Sequence, residues 1–88
     1  MWQPRMLRTH GIIVDTSLGE VEGEFWSDGL LAIATSAKDA ERHDVRAPAD
    51  VALAFDDLGL PHEEATLVAE HLWSGELGSF ARRFVNPS

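Results

Sequence analysis

The stretch "EVEGEFW" (Glu20–Trp26), followed by Ser27-Asp28-Gly29 and then "LLAIATS", constrains the fold more than any other part of the chain. Its strict alternation sends Val21, Gly23 and Phe25 to one side and Glu20, Glu22, Glu24 and Trp26 to the other. That is the period-2 signature of a sheet with one wet face. Asp28-Gly29 supplies the φ > 0 positions of a two-residue hairpin turn. "LLAIATS" (Leu30–Ser36) is apolar on both faces, as expected of a central strand or one covered by a helix. Upstream, "THGIIVDT" (Thr9–Thr16) is β-branched, apolar and closed by the turn "SLG". The expectation is a three-stranded antiparallel β-meander over about residues 9–36.

The second half changes period. In "APADVALAFDDLG", Val51, Ala54, Phe55 and Leu58 make one helical stripe, Pro48 suits the first turn and Gly59 stops it. Asp56 and Asp57 then fall in the last turn, where the helix dipole disfavours anions. Either that helix ends early or something nearby favours carboxylates. "PHEEATLVAEHLWSG" is the clearest helix: Pro61 opens it, Glu63 and Glu64 complement its positive end, and Gly75 closes it. Ala65, Val68, Ala69 and Leu72 share a face with Trp73 at its border, while Glu63, Leu67, Glu70 and His71 lie opposite. The tail "GELGSFARRFVNPS" predicts a short helix capped by Ser79, with Phe80 and Phe84 one turn apart on the core and Arg82 and Arg83 outward.

The segment between the halves, "SAKDAERHDVRA", has almost no apolar face. Ser36 and Asp39 resemble a capping box, and Lys38 and Glu41 stand one turn apart, so residues 36–47 read as a short polar helix or a loop. The whole is one small α+β domain, residues 1–88, with the meander packed against two to three C-terminal helices.

Composition narrows the function classes. The chain has 88 residues, 44% of them hydrophobic, so some apolar surface is expected to lack an intramolecular partner and self-association follows. Without cysteine there is neither a disulfide frame nor a thiolate zinc site. The N-terminal stretch is broken by Pro4, Arg5 and Arg8, no window has the length of a membrane span, and a soluble cytoplasmic protein is expected. The net charge of −8 is uneven: Asp15–Asp28 and Asp50–Glu76 hold acids with no Lys or Arg between them. Such a field repels nucleic acid and anionic membrane and attracts basic partners.

The chemical motifs fail one by one. "HEEATLVAEHLW" lacks the second histidine of H-E-x-x-H, because Thr66 stands four residues after His62. His71 lies about 180° round the helix from His62, and Glu64 is roughly 10.5 Å along the axis from His71. Only folding could bring His10 and His43 near each other, and no metal or cofactor is expected. No G-x-S-x-G elbow is present, and a chain this size has little room for a desolvating cleft. The helices joined at "LGLPH" outline a helix-turn-helix, but its second helix carries Glu63, Glu64 and Glu70 and no basic residue.

What remains is a non-catalytic protein-interaction or regulatory domain, homodimeric, with a basic protein as partner. Its contact residues are expected to be Glu20, Glu22, Glu24, Trp26, Leu67, Glu70 and His71. The three glutamates lie about 6.6 Å apart along one sheet face at about 3.3 Å per residue, and Trp26 ends the row as an aromatic anchor. Two alternatives stand beside this reading. One is an acidic nucleic-acid mimic that inhibits a nucleic-acid-binding enzyme, its carboxylates replacing phosphates. The other is a ligand-binding or enzymatic site at a dimer interface, with His43, Glu64 or His71 titrating.

Overall fold

Two glycines at positive φ turn the first three strands back on one another. A computed structural model describes residues 7–85, so the N-terminal reading that rested on Pro4 and Arg5 lies outside the described residues. Strand β1 (Thr9–Thr16) reverses through Ser17-Leu18 into β2 (Gly19–Trp26), with Gly19 at φ 95°. β2 reverses through Ser27, Asp28 and Gly29 into β3 (Leu30–Thr35). This second loop has three residues where two were expected. The Gly29 amide donates to the Trp26 carbonyl at 2.9 Å, Asp28 Oδ1 accepts from the Leu30 amide, and of these two residues only Gly29 has positive φ, at 95°. That is a tight turn followed by a left-handed glycine, the usual three-residue solution.

A fourth strand, β4 (Lys38–Asp44), pairs antiparallel with β3, so the sheet is four-stranded in the order β1-β2-β3-β4. The expected short polar helix or loop at 36–47 is thus corrected for most of its length: Ser36 and Ala37 form a turn, and neither Ser36 nor Asp39 caps anything. The physical reason is position. β4 is an edge strand, and an edge is protected from pairing with other chains by charge. Asp39, Glu41, Arg42 and Asp44 supply that charge and erase the apolar alternation by which a strand is read.

Helix α1 (Pro48–Leu58) crosses β3 and β4, α2 (His62–Ser74) packs on α1, and α3 (Glu76–Phe80) reaches β1 before a π-helical turn over Ala81–Val85. Asp50 Oδ2 accepts from the amides of Arg46 and Ala47 at 2.9 and 3.1 Å, which closes the first turn of α1. Gly59, at φ 116°, ends it. The stripe Val51, Ala54, Phe55 and Leu58 is buried as its spacing predicts. Ala65 and Ala69 are the buried face of α2, with Val68, Leu72 and Trp73 packed beside them. The tail helix begins earlier than expected: Ser79 lies inside α3, and Gly75 is the residue before it.

Every helix sits on one side of the sheet. Ile12, Val21, Phe25, Leu31 and Ile33 point inward and are fully or nearly fully buried among the helices. The register aligns them in rows: Ile12–Gly23–Ile33, and Phe25–Leu31–His43. Phe80 closes the end of this core against Phe25 and the His10 ring, each centroid 5.7 Å away, and against Phe84 at 5.0 Å. The Arg8 and Arg83 guanidiniums lie over the Phe84 ring.

Candidate functional site: the uncovered sheet face

The alternation that fills the core also decides what the other face presents. Outward from β2 stand Glu20, Glu22 and Glu24, all exposed, and then Trp26, half-buried. Their cross-strand neighbours follow from the register. Asp15 lies opposite Glu20, Ile13 opposite Glu22, Gly11 opposite Glu24 and Thr9 opposite Trp26. On the other side, Ala34 is opposite Glu22 and Ala32 opposite Glu24, with Arg42 next beyond Ala32.

This surface is a ridge of acids between two shallow troughs. One trough, about 360 Å³, is lined by Glu22, Glu24, Trp26, Ala32, Ala34 and Ala40. The second lies along Gly11 and Ile13 on the far side of Glu22 and Glu24. Ile13 is 71% exposed. Glycine and alanine are poor strand residues because they offer no side chain to cross-strand packing. Placed at Gly11, Ala32, Ala34 and Ala40, they leave the ridge standing clear of its surroundings.

The electrostatics are unbalanced. Among the described residues no ion pair reaches Glu20, Glu22 or Glu24. Asp15 and Glu20 face each other directly, an arrangement that costs stability in a sheet. Trp26 ends the row beside Leu7, Leu30 and Arg42 around a further small hollow.

The remaining expected contact residues lie elsewhere. Leu67, 66% exposed, and the exposed Glu70 and His71 are on α2, whose buried alanines turn that face away from the sheet. The seven expected residues therefore do not form one surface: four stand on the outer sheet face and three on α2. Glu70 borders a groove between α1 and α2 that also includes Leu53, Asp56 and His62. His71 borders a cleft between α2 and β1, with His10 and Glu76. Glu64 is engaged by the turn before β2: its carboxylate accepts from the Ser17 amide at 2.9 Å and from the Ser17 hydroxyl. His43, Glu64 and His71, the titrating groups of the interfacial-site alternative, thus have three different surroundings.

The two aspartates at the end of α1 find partners, and the helix does not end early. His62 Nδ1 is 3.1 Å from Asp56 Oδ2, and His43 Nδ1 is 3.8 Å from Asp57 Oδ2. Lys38, expected to pair with Glu41 along a helix, instead donates from Nζ to the Asp57 carbonyl. Glu41, His43 and Asp57 each bring a donor atom within 4.8 Å of the others.

Sequence reasoning found the acidic row and its tryptophan. It missed Gly11, Ile13, Ala32, Ala34, Ala40 and Arg42, which give the row its surroundings. The available signal was small residues at outward positions of strands, where bulkier ones are normally favoured. Comparison of the chain with protein-family models, with curated proteins and with solved structures yields no match.

Proposed function

We propose that the protein is a non-catalytic interaction domain whose uncovered sheet face receives a basic segment of a protein partner. The observation that carries this reading is the acid row of Glu20, Glu22 and Glu24, which no ion pair among the described residues reaches, with Ala34 beside Glu22, Gly11 and Ala32 beside Glu24, and Trp26 at its end. A solvated face kept only for solubility gains nothing from alanines and a glycine beside its acids. A surface that takes in a chain with Lys or Arg side chains gains room for its backbone in the troughs and counter-charge for the ridge. Partial desolvation strengthens such pairs, and Trp26 adds an aromatic anchor that also attracts guanidinium.

The nucleic-acid-mimic alternative has less support. Its two acid-only stretches lie on opposite faces of the sheet, since the acids of β2 point away from the helices that carry most of Asp50–Glu76. They do not make one continuous phosphate-like track.

The test is a nuclear magnetic resonance titration with an Arg/Lys-rich peptide of about ten residues, at low and high salt. Shifts are expected at Glu22, Glu24, Trp26, Ala32 and Ala34, shrinking with ionic strength and lost when Glu20, Glu22 and Glu24 become Lys. Shifts confined to α2, or binding indifferent to the triple reversal, would overturn the assignment.

Self-association, expected from the apolar content, suits a different surface. Two copies meeting through their sheet faces would set each acid ridge against the other. Leu53 and Leu67, 60% and 66% exposed, stand on the helical side, with Leu53 lining the α1–α2 groove. A homodimer through that side predicts dimeric mass by light scattering at tens of micromolar and monomeric mass for Leu53→Asp. A strictly monomeric parent protein removes it.

A further inference from the structure

We propose that Glu41, His43 and Asp57 bind a divalent first-row transition ion, with Zn²⁺ the best match. This site lies on the helical side of the sheet edge and is independent of the acidic outer face.

The fold brings the three donors together from two elements. Glu41 and His43 are two residues apart on β4 and share its inward face, opposite Ile33 and Leu31. Asp57 is in the last turn of α1, the helix that packs across β3 and β4. One donor atom from each lies within 4.8 Å of the others, and His43 Nδ1 to Asp57 Oδ2 is 3.8 Å. The latter spacing is too long for a hydrogen bond. Two donors held at about 2.0–2.2 Å on one tetrahedral Zn²⁺ stand about 3.4 Å apart. Rotation of the exposed Glu41 and Asp57 side chains makes up the difference without moving the backbone. His43 is the fixed member: its side chain is 18% exposed and continues the buried row of Phe25 and Leu31.

The local field favours a cation and also limits it. Two carboxylates balance a divalent charge, and the C-terminal end of α1 adds the negative end of its dipole. A bound cation would offset the cost of placing Asp57 there. Lys38 works against it, because its ammonium sits on the Asp57 carbonyl. The donor set discriminates among ions. An imidazole with two carboxylates suits borderline ions and leaves coordination positions for water. Mg²⁺ and Ca²⁺ are hard ions that take oxygen ligands and gain little from the imidazole of His43.

Isothermal titration with ZnCl₂, followed in parallel by amide resonances, tests the assignment. One Zn²⁺ per chain is expected, with shifts centred on Glu41, His43 and Asp57 and no response to MgCl₂. His43→Ala and Asp57→Asn should each weaken binding at least about tenfold, the scale on which metal sites respond to altered surroundings. Circular dichroism confirms that each variant is folded, and Glu41→Gln, an exposed change, serves if one is not. Lys38→Met should tighten binding, and His62→Ala should leave it unchanged. Absence of binding up to millimolar Zn²⁺ overturns the proposal. So does binding that survives His43→Ala or maps to His10, His62 or His71.

Discussion

The two faces of the same sheet are built from alternate residues of the same strands, yet they obey opposite rules. Inward, Val21 and Phe25 are fully buried and tolerate little change. Outward, one residue away in each case, Glu20, Glu22, Glu24 and Trp26 meet water, a few small side chains and one another. The inner face accounts for why the chain folds. The outer face, with the facing acids Asp15 and Glu20 and residues of low strand propensity, is poorly explained by stability.

Adjacent positions 25 and 26 provide the sharpest contrast. Phe25→Ala removes a fully buried ring that touches Phe80 and is expected to cost about 3–5 kcal/mol. That is a large part of the stability of a domain this size. Trp26→Ala removes a larger side chain from the outward row and should cost well under half as much. Urea denaturation of both variants measures the gap, and equal losses would break the distinction between the faces.

The glycines repeat the comparison on a smaller scale. A Cβ at Gly23, on the inner face, would lie 2.4 Å from the Ala32 carbonyl oxygen and 2.7 Å from Ile33 Cγ2. Gly23→Ala is expected to destabilise by about 1–3 kcal/mol, as overpacking does. Gly11, in the neighbouring strand but outward, has nothing within 4 Å of the same construction. Gly11→Ala should be neutral or stabilising by up to about 1 kcal/mol, because it restricts the unfolded chain. Thermal melts of the pair check both signs. The second substitution also narrows the trough along Ile13, so a bound basic peptide should be weakened without any loss of fold.

How much of this was legible in the sequence depends on how much contrast each segment carries. β1 to β3 were readable because their inward residues are apolar and glycines mark their turns. β4 was not, since its inward residues include Glu41 and His43 while its outward ones include Arg42 and Asp44. A strand polar on both faces has no period to detect, and only pairing with β3 defines it. The stripes of α1 and α2 were readable for the same reason as β2. The anomaly of Asp56 and Asp57 was visible too; Asp56 finds His62 only six residues on, but Asp57 faces His43 from a strand fourteen residues upstream, beyond any local pattern. In the tail, Ser79 resembled a cap, yet burial of Leu77 and Gly78 starts the helix before it. The acidic row was legible as a row; the small residues beside it became a surface only once the register joined four strands.

The smallest expected effect is the most specific. Asp15 and Glu20 are direct cross-strand partners on the outer face, whereas Glu22 stands opposite Ile13. Like charges directly opposite destabilise a sheet by an amount in the range of about 0.2–1 kcal/mol. Glu20→Lys converts that repulsion into attraction and is expected to raise stability by a few tenths of a kcal/mol or more at low salt, with the gain shrinking as salt screens it. Glu22→Lys makes the same change in net charge without an acidic partner directly across the strand pair. It should stabilise less. If both variants gained equally, the benefit would come from reducing the overall charge of −8 and not from the local pairing. If only Glu20→Lys gains, then the natural chain keeps a locally unfavourable carboxylate where one substitution would remove the repulsion. Loss of basic-peptide binding in that more stable variant would give the carboxylate a reason to be there, because the same charge that weakens the fold would be the one a partner neutralises.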